Sequence, residues 1–239
     1  MNSRFSGNLA LIAGGTGGLG RAVSLAFLEE GANVIVTYRK EQEFSALKIA
    51  AGQHAALLKG HQVDVTDESA VRQLIERVLA EHGRLDILVN TVGAYAGGVK
   101  LWEIEPRVFE AMLALNLRSG YVLSIAVVPA MLKQKRGSIV NIASKAAFDH
   151  AAGAAAYAAS KAGALAMMDS LAEDLRGTGV RINSVLPSII DTEANRSAMP
   201  NADFAKWPKP EDIARVILFL CSSDARVIHG AAVPVYGNA

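Results

Sequence analysis

One cysteine, Cys221, stands in 239 residues, so no internal disulfide can brace the chain, and a reducing, cytoplasmic setting is expected. Neither sign of charge is in excess: 24 Lys plus Arg against 23 Asp plus Glu leave a formal +1. That balance lacks the basic footprint by which a dedicated nucleic-acid binder engages phosphates. No apolar run is long: the best, Gly120 to Leu132, is interrupted by Ser124 and Pro129 and falls short of a bilayer. The N-terminus shows no extended apolar region with a cleavage pattern, so no secretory signal is read. The histidines (His54, His61, His82, His150, His229) are scattered without partners at metal-ligand spacing, and no metal is expected. What is abundant is apolar: 51% hydrophobic against 20% charged excludes a disordered chain and suits one α/β domain with a sizeable core.

Apolar β-type runs alternate with helical stretches. Strands are read at Asn8 to Ala13, Asn33 to Tyr38, about Leu57 to Val65, Asp86 to Asn90, Ser138 to Ala143, Val180 to Leu186 and about Ala231 to Tyr236. Helices are read after the first strand through Glu30, from the Asp67 cap to His82, and over about Pro106 to Gln134, Ala155 to Arg176 and Pro210 to Cys221. Continuous apolar strands between helices suit parallel strands covered on both faces. The expectation is α/β: a single Rossmann-type, doubly wound parallel sheet of about seven strands spanning 1–239 as one domain. Residues 188–209 are too long for an ordinary connection and read as a lid-like substrate loop.

The first strand runs into Gly14-Gly15-Thr16-Gly17-Gly18-Leu19-Gly20, and a helix follows. Glycines allow close backbone approach to a pyrophosphate, and the helix start, with Thr16, Gly17 and Leu19 on the turn, points N–H groups at the anion. The spacing, G-x-x-x-G-x-G, differs from the G-x-G-x-x-G of many dinucleotide folds, and a tight turn without ligand is the bland alternative. The second strand ends Tyr38-Arg39-Lys40, with no acid to take a ribose hydroxyl and two bases that suit an extra phosphate. NADP(H) is therefore expected over NAD(H), unless Arg39 and Lys40 merely open a solvated helix. Asp64, with Val65 beside it, either meets the adenine or serves as a turn acid.

Tyr157 and Lys161 lie four residues apart in an Ala-rich helical stretch, hence on one face. An ammonium beside a phenol favours the phenolate, which suits proton transfer. Tyr-x-x-x-Lys alone is weak, but Ser144 directly follows an apolar strand, at the end where doubly wound sheets bind ligands. Asn116, a polar group in an apolar run, needs a specific partner whether its role is structural or catalytic.

With these motifs in order along essentially its whole length, the chain resembles the short-chain dehydrogenase/reductase family, in a form like the 3-oxoacyl-carrier-protein reductases. The resemblance implies a tetrad of Asn116, Ser144, Tyr157 and Lys161. It also implies cofactor contacts from Gly14, Gly18 and Gly20, from Asn90 and Gly93 after the fourth strand, and from Pro187, Ile190 and Thr192 after the sixth. On this reading Tyr157 is the general acid or base of a carbonyl–alcohol interconversion, and Ser144 orients the oxygen. Lys161 lowers the Tyr157 pKa and holds the nicotinamide ribose, while Asn116 supports a water relay. Ala13, Thr91 with Val92, and Ser188 depart from the family pattern, and Ser188 puts the nicotinamide contacts in question.

Segments around Tyr95 and from Asp191 to Trp207 are also similar to dihydropteridine reductases, which typically lack a serine like Ser144 and prefer NADH. A catalytically silent dinucleotide-binding regulator is the other alternative, against which the intact tetrad argues. Tyr95, Trp102, Phe148, His150, Ile190, Met199 and Trp207 are expected to wall an apolar substrate pocket. The family resemblance further implies pairing of the two long helices into a homotetramer or homodimer, while charge balance and the short apolar runs predict no nucleic-acid or membrane partner.

Overall fold

Among the described residues seven strands form, all but the polar β3 from short runs rich in β-branched and aliphatic residues: β1 (Leu9–Ala13), β2 (Asn33–Tyr38), β3 (Leu58–Gln62), β4 (Ile87–Asn90), β5 (Gly137–Ile142), β6 (Val180–Pro187) and β7 (Ala232–Val235). The computed structural model describes residues 3–238. All pairings are parallel, in the order β3-β2-β1-β4-β5-β6-β7. Successive side chains on a strand point to opposite faces, and the sheet uses both. On one face Ala10, Ile12, Val34, Val36 and Val89 meet α1 (Gly18–Glu29), α2 (Glu41–Ala50) and α8 (Pro210–Cys221). On the other, Leu9, Leu11, Ile35 and Leu88 meet α3 (Glu68–His82), α5 (Ser119–Gln134) and α6 (Ala155–Asp174). Each Val, Leu or Ile side chain among them that is removed from water contributes about 1.5–3 kcal/mol.

Local signals end the elements. Asp67 accepts a hydrogen bond from Ala70 N at 3.0 Å and starts α3, and Gly83, at φ 69°, stops it in the left-handed conformation. The third strand is shorter than its apolar pattern implied. It closes at Gln62 because Asp64 turns the chain, taking the Thr66 N–H at 2.9 Å and the Thr66 hydroxyl at 2.7 Å.

The long helix expected over Pro106 to Gln134 is three pieces: α4 (Pro106–Leu113), a π-helical turn (Ala114–Arg118) and α5. A single-turn π-bulge interrupts the regular hydrogen-bond ladder, a device frequent at functional sites. Taken together the run has 29 residues and a window of mean hydropathy 1.6, long and apolar enough by that measure to cross a membrane. Here Val122, Leu123, Val127 and Met131 bury against the sheet instead.

Because β1 lies between β2 and β4, the connections leave it in opposite directions and open a crevice at the carboxyl ends of β1 and β4. The sheet edges are β3, with Lys59, His61 and Gln62, and β7, which contains Pro234. Near the end of the described chain the Asn238 N–H donates to the Lys206 carbonyl at 2.9 Å, tying segment 188–209 to the residues after β7.

Candidate active site

The glycine-rich turn fills the mouth of that crevice. Gly14 adopts φ 72°, its N–H donates to the Thr37 hydroxyl at 3.0 Å, and the Gly17 N–H closes the turn on the Gly14 carbonyl at 3.1 Å. A side chain on Gly20 would strike the Gly14 carbonyl oxygen, and one on Gly15 would strike Val36. A Cβ on Gly17 would meet nothing closer than 3.5 Å. Gly17 caps α1 with no side chain, so no cap residue occupies the first-turn N–H groups around Leu19. This is a cradle fitted to a pyrophosphate, and the residues present fit a dinucleotide.

At the adenosine end Tyr38 is stacked on Phe44 with ring centroids 4.9 Å apart, and its hydroxyl binds Glu41, which holds the phenol above its ordinary pKa. Arg39 is exposed. Lys40 is paired instead with Glu43 at 3.3 Å, and Glu43 also accepts from the Thr16 hydroxyl at 3.2 Å. The Asp64 carboxylate is committed to Thr66, which depresses its pKa, with Arg39 nearby adding to the effect. Val65 is buried in the core rather than lining a surface.

Past β4, Asn90 is buried, donating to the Asn141 amide oxygen at 3.0 Å and accepting from the Val92 N–H at 3.2 Å. The Thr91 departure has a physical account: its hydroxyl donates to the Ala13 carbonyl at 2.7 Å and bridges β4 to the glycine turn. Gly93 stands where a Cβ would lie 2.9 Å from Asn116 Oδ1 and 3.1 Å from Lys161 Nζ, so only glycine lets these groups share the space. The Ser188 departure is also accommodated: the residue lacks a positive φ, and its hydroxyl donates to the Tyr236 carbonyl at 2.7 Å.

Asn116 sits in the π-helical turn with every side-chain polar atom engaged. It accepts from Ala94 N at 2.9 Å and donates to the Ala94 carbonyl and to Ser160 Oγ, each at 3.0 Å. Its amide is therefore a clamp on the loop after β4, the structural hydrogen bonding expected of a buried Asn.

Tyr157 and Lys161 occupy one face of α6, below Ser144 at the end of β5. Lys161 is fully buried, its Nζ donates to the Ile142 carbonyl at 2.9 Å, and burial pulls its pKa down to about 8. Burial pushes the Tyr157 phenol above its ordinary value, Ser144 draws it partly back by hydrogen bonding, and Tyr95 nearby raises it. The Lys161 ammonium faces the Ile142 carbonyl and is not among the groups that shift Tyr157 in this arrangement.

Of the expected substrate walls, Tyr95 is close: its ring meets Tyr157 edge-on with centroids 4.9 Å apart. Phe148 is exposed, and His150 reaches back to the Ala147 carbonyl at 3.2 Å. Trp207 is not an open wall: it is 7% exposed and packed on Phe204.

Segment 188–209 is folded, with α7 (Glu193–Ala198) capped by the Thr192 hydroxyl. Asp191 pairs with Arg196 at 2.8 Å, and the Arg196 guanidinium lies 4.8 Å from the Phe204 ring centroid. At its start Ile190 packs on the core, and its carbonyl accepts from Asn195 Nδ2 at 2.8 Å. A Cβ on Gly18 would come within 2.8 Å of the Thr192 methyl, so the segment that begins after Pro187 crosses over the glycine turn.

Glu43 and Ser160 were not singled out in the sequence; both act through partners remote in the chain or across a helix turn, and local spacing gives no sign of them.

Fold and site together define a dinucleotide-dependent oxidoreductase, and the chain belongs to the short chain dehydrogenase family, whose model matches residues 8–203. It is similar to a 3-oxoacyl-(acyl-carrier-protein) reductase of Thermotoga maritima, 32% identical over 98% of both chains. Among solved structures it resembles ElxO with NADP bound (27% identity, 96% of this chain and 97% of that one, TM-score 0.91). It also resembles carveol dehydrogenase from Mycobacterium avium in complex with NAD (25% identity, 98% of each chain, TM-score 0.90).

Proposed function

We propose that this protein is a cytoplasmic, NADP(H)-preferring reductase of a compact, largely apolar ketone or aldehyde, able to run in reverse on the alcohol. The observation that carries the reading is the grouping of Ser144, Tyr157 and Lys161 at the end of β5, beside a glycine turn whose tight packing leaves no room for side chains at Gly15 and Gly20.

A bound nicotinamide dinucleotide supplies the hydride, or takes it in the reverse direction. Tyr157 gives its proton to the substrate oxygen as general acid. Burial keeps that phenol protonated at neutral pH, the form reduction requires. Ser144 hydrogen-bonds the same oxygen and fixes its position. Lys161, charged below about pH 8, favours the phenolate left behind once its ammonium turns from Ile142. Asn116 acts through structure, holding the loop that carries Tyr95 against α6. Asn90, Gly93, Pro187, Ile190 and Thr192 frame the nicotinamide side, with Thr16 to Gly20 on the pyrophosphate and Arg39 at the ribose.

Tyr95, Phe148, His150 and Met199 form the substrate walls, and 188–209 acts as the lid. The serine beside Tyr157 favours carbonyl reduction over a dihydropteridine-type reaction. Exposed Tyr121, Ile125 and Leu132 on α5 support association of copies into a dimer or tetramer through the long helices.

The test is a screen of ketones, aldehydes and a quinonoid dihydropterin with NADPH and NADH, followed by absorbance of the reduced cofactor. Turnover of an apolar carbonyl compound with NADPH is expected. Oxidation with the pterin alone would replace the substrate assignment, and binding of cofactor without any turnover would favour a regulator.

A further inference from the structure

Arg39 and Lys40 identify the end of β2 as basic, but the charges there do not act alone. The Glu43 carboxylate touches both the glycine turn and the second base: one oxygen accepts from Thr16 Oγ1 at 3.2 Å, and the other lies 3.3 Å from Lys40 Nζ. Glu41 adds a second carboxylate and is engaged by the Tyr38 hydroxyl. Across residues 39–43 two cations thus face two anions, and the cluster carries no net charge.

This matters for the ribose because a 2′-phosphate would bring close to two negative charges into the same space. Lys40 could meet it only by leaving Glu43, and the carboxylate would remain as a like charge at the rim. A ribose with free hydroxyls meets no such repulsion, and the Glu43 oxygens are acceptors for it.

We propose that Glu43 is a specificity-determining residue of the cofactor site, one that holds Lys40 away from a 2′-phosphate and tempers the discrimination that Arg39 provides. Selectivity between two ligands is a difference of affinities, and a repulsive group adjusts it as directly as an attractive one. The inference rests on the nucleotide-binding reading above.

The test is direct binding, by calorimetry or by fluorescence of the reduced nicotinamide, to the wild type, Glu43→Gln, Lys40→Ala and the double variant. The probes are NADPH, NADH, 5′-AMP and an adenosine 5′-phosphate carrying an additional 2′-phosphate. Glutamine keeps the shape and the hydrogen bond from Thr16 but removes the charge. Glu43→Gln should bind the two 2′-phosphate ligands about five- to tenfold more tightly and change NADH and 5′-AMP by less than about twofold. That gain should be smaller in the Lys40→Ala background, where only the like-charge repulsion is relieved. An equal shift for all four probes, or no shift, would overturn the role of Glu43 while leaving the cofactor assignment intact. A folded wild type that binds neither dinucleotide would overturn both.

Discussion

The Asn116 amide donates to the Ser160 hydroxyl across 3.0 Å, and that hydroxyl donates in turn to the Tyr157 carbonyl at 2.7 Å. One buried side chain therefore ties the loop after β4, through Ala94, to the helix turn that carries Tyr157. Asn116→Ala leaves buried polar groups unpaired and should cost about 1–3 kcal/mol in urea unfolding. It should also lower kcat more than it changes NADPH affinity. Unchanged stability would show that Ala94 and Ser160 find other partners.

Tyr157→Phe removes the donor hydroxyl and little else. Turnover should fall by about 10²–10⁴-fold while cofactor titration stays near wild type. Activity within a fewfold of wild type would defeat the assigned proton donor.

Lys161 carries a pH signature. Its pKa in the fold is about 8 against an ordinary 10.5, so between those values the unfolded chain binds more protons and stability rises with pH. Below pH 8 both states are charged and the folded state bears the full burial penalty, on the order of 3 kcal/mol. Lys161→Met should gain most over wild type at pH 7, and its advantage should shrink as pH approaches 10.5. A difference independent of pH would mean that this ammonium is not desolvated.

The cradle discriminates between neighbouring glycines. Gly20→Ala forces a methyl onto the Gly14 carbonyl and should destabilise by about 1–3 kcal/mol while weakening dinucleotide binding. Gly17→Ala meets only ordinary contacts and should fold normally. Thermal melts of the two variants side by side decide it, and equal melting temperatures would contradict the geometry.

Arg196 joins Asp191 to Phe204 inside segment 188–209. Arg196→Ala should speed protease cleavage between Ile190 and Lys209 and raise substrate KM with a smaller effect on kcat. NADPH should slow cleavage of the wild type. If cleavage is the same with and without the arginine, the latch contributes nothing to lid order.

The sheet could be read from sequence because each buried strand is a run such as Leu9–Ala13 or Ile139–Ile142, whose chemistry admits few alternatives. The capped start of α3 was equally plain, since Asp67 and Ala70 are three residues apart. Helix α2 escaped notice because only Leu47 on it is buried, leaving almost no periodic signal. The π-helical turn was hidden inside an apolar stretch that reads the same with or without a bulge. At the site, glycine spacing and Tyr157-x-x-x-Lys161 are local patterns and were visible. The pairing of Glu43 with Thr16, the use of Trp207 for packing and the turning of Lys161 toward Ile142 all depend on chain segments far apart in sequence.

Pro234 in β7 has a consequence for how copies can meet. The carbonyls of Ala231 and Val235 accept from Ser184 of β6 and from Ser188 just past its end, so alternate residues, Pro234 among them, face outward. There the edge lacks a donor that an incoming strand would need. The opposite edge is only five residues long, and its Lys59 is engaged by Glu81. Neither margin offers a long, uninterrupted row of strand donors and acceptors, so edge-to-edge pairing of sheets is disfavoured at both.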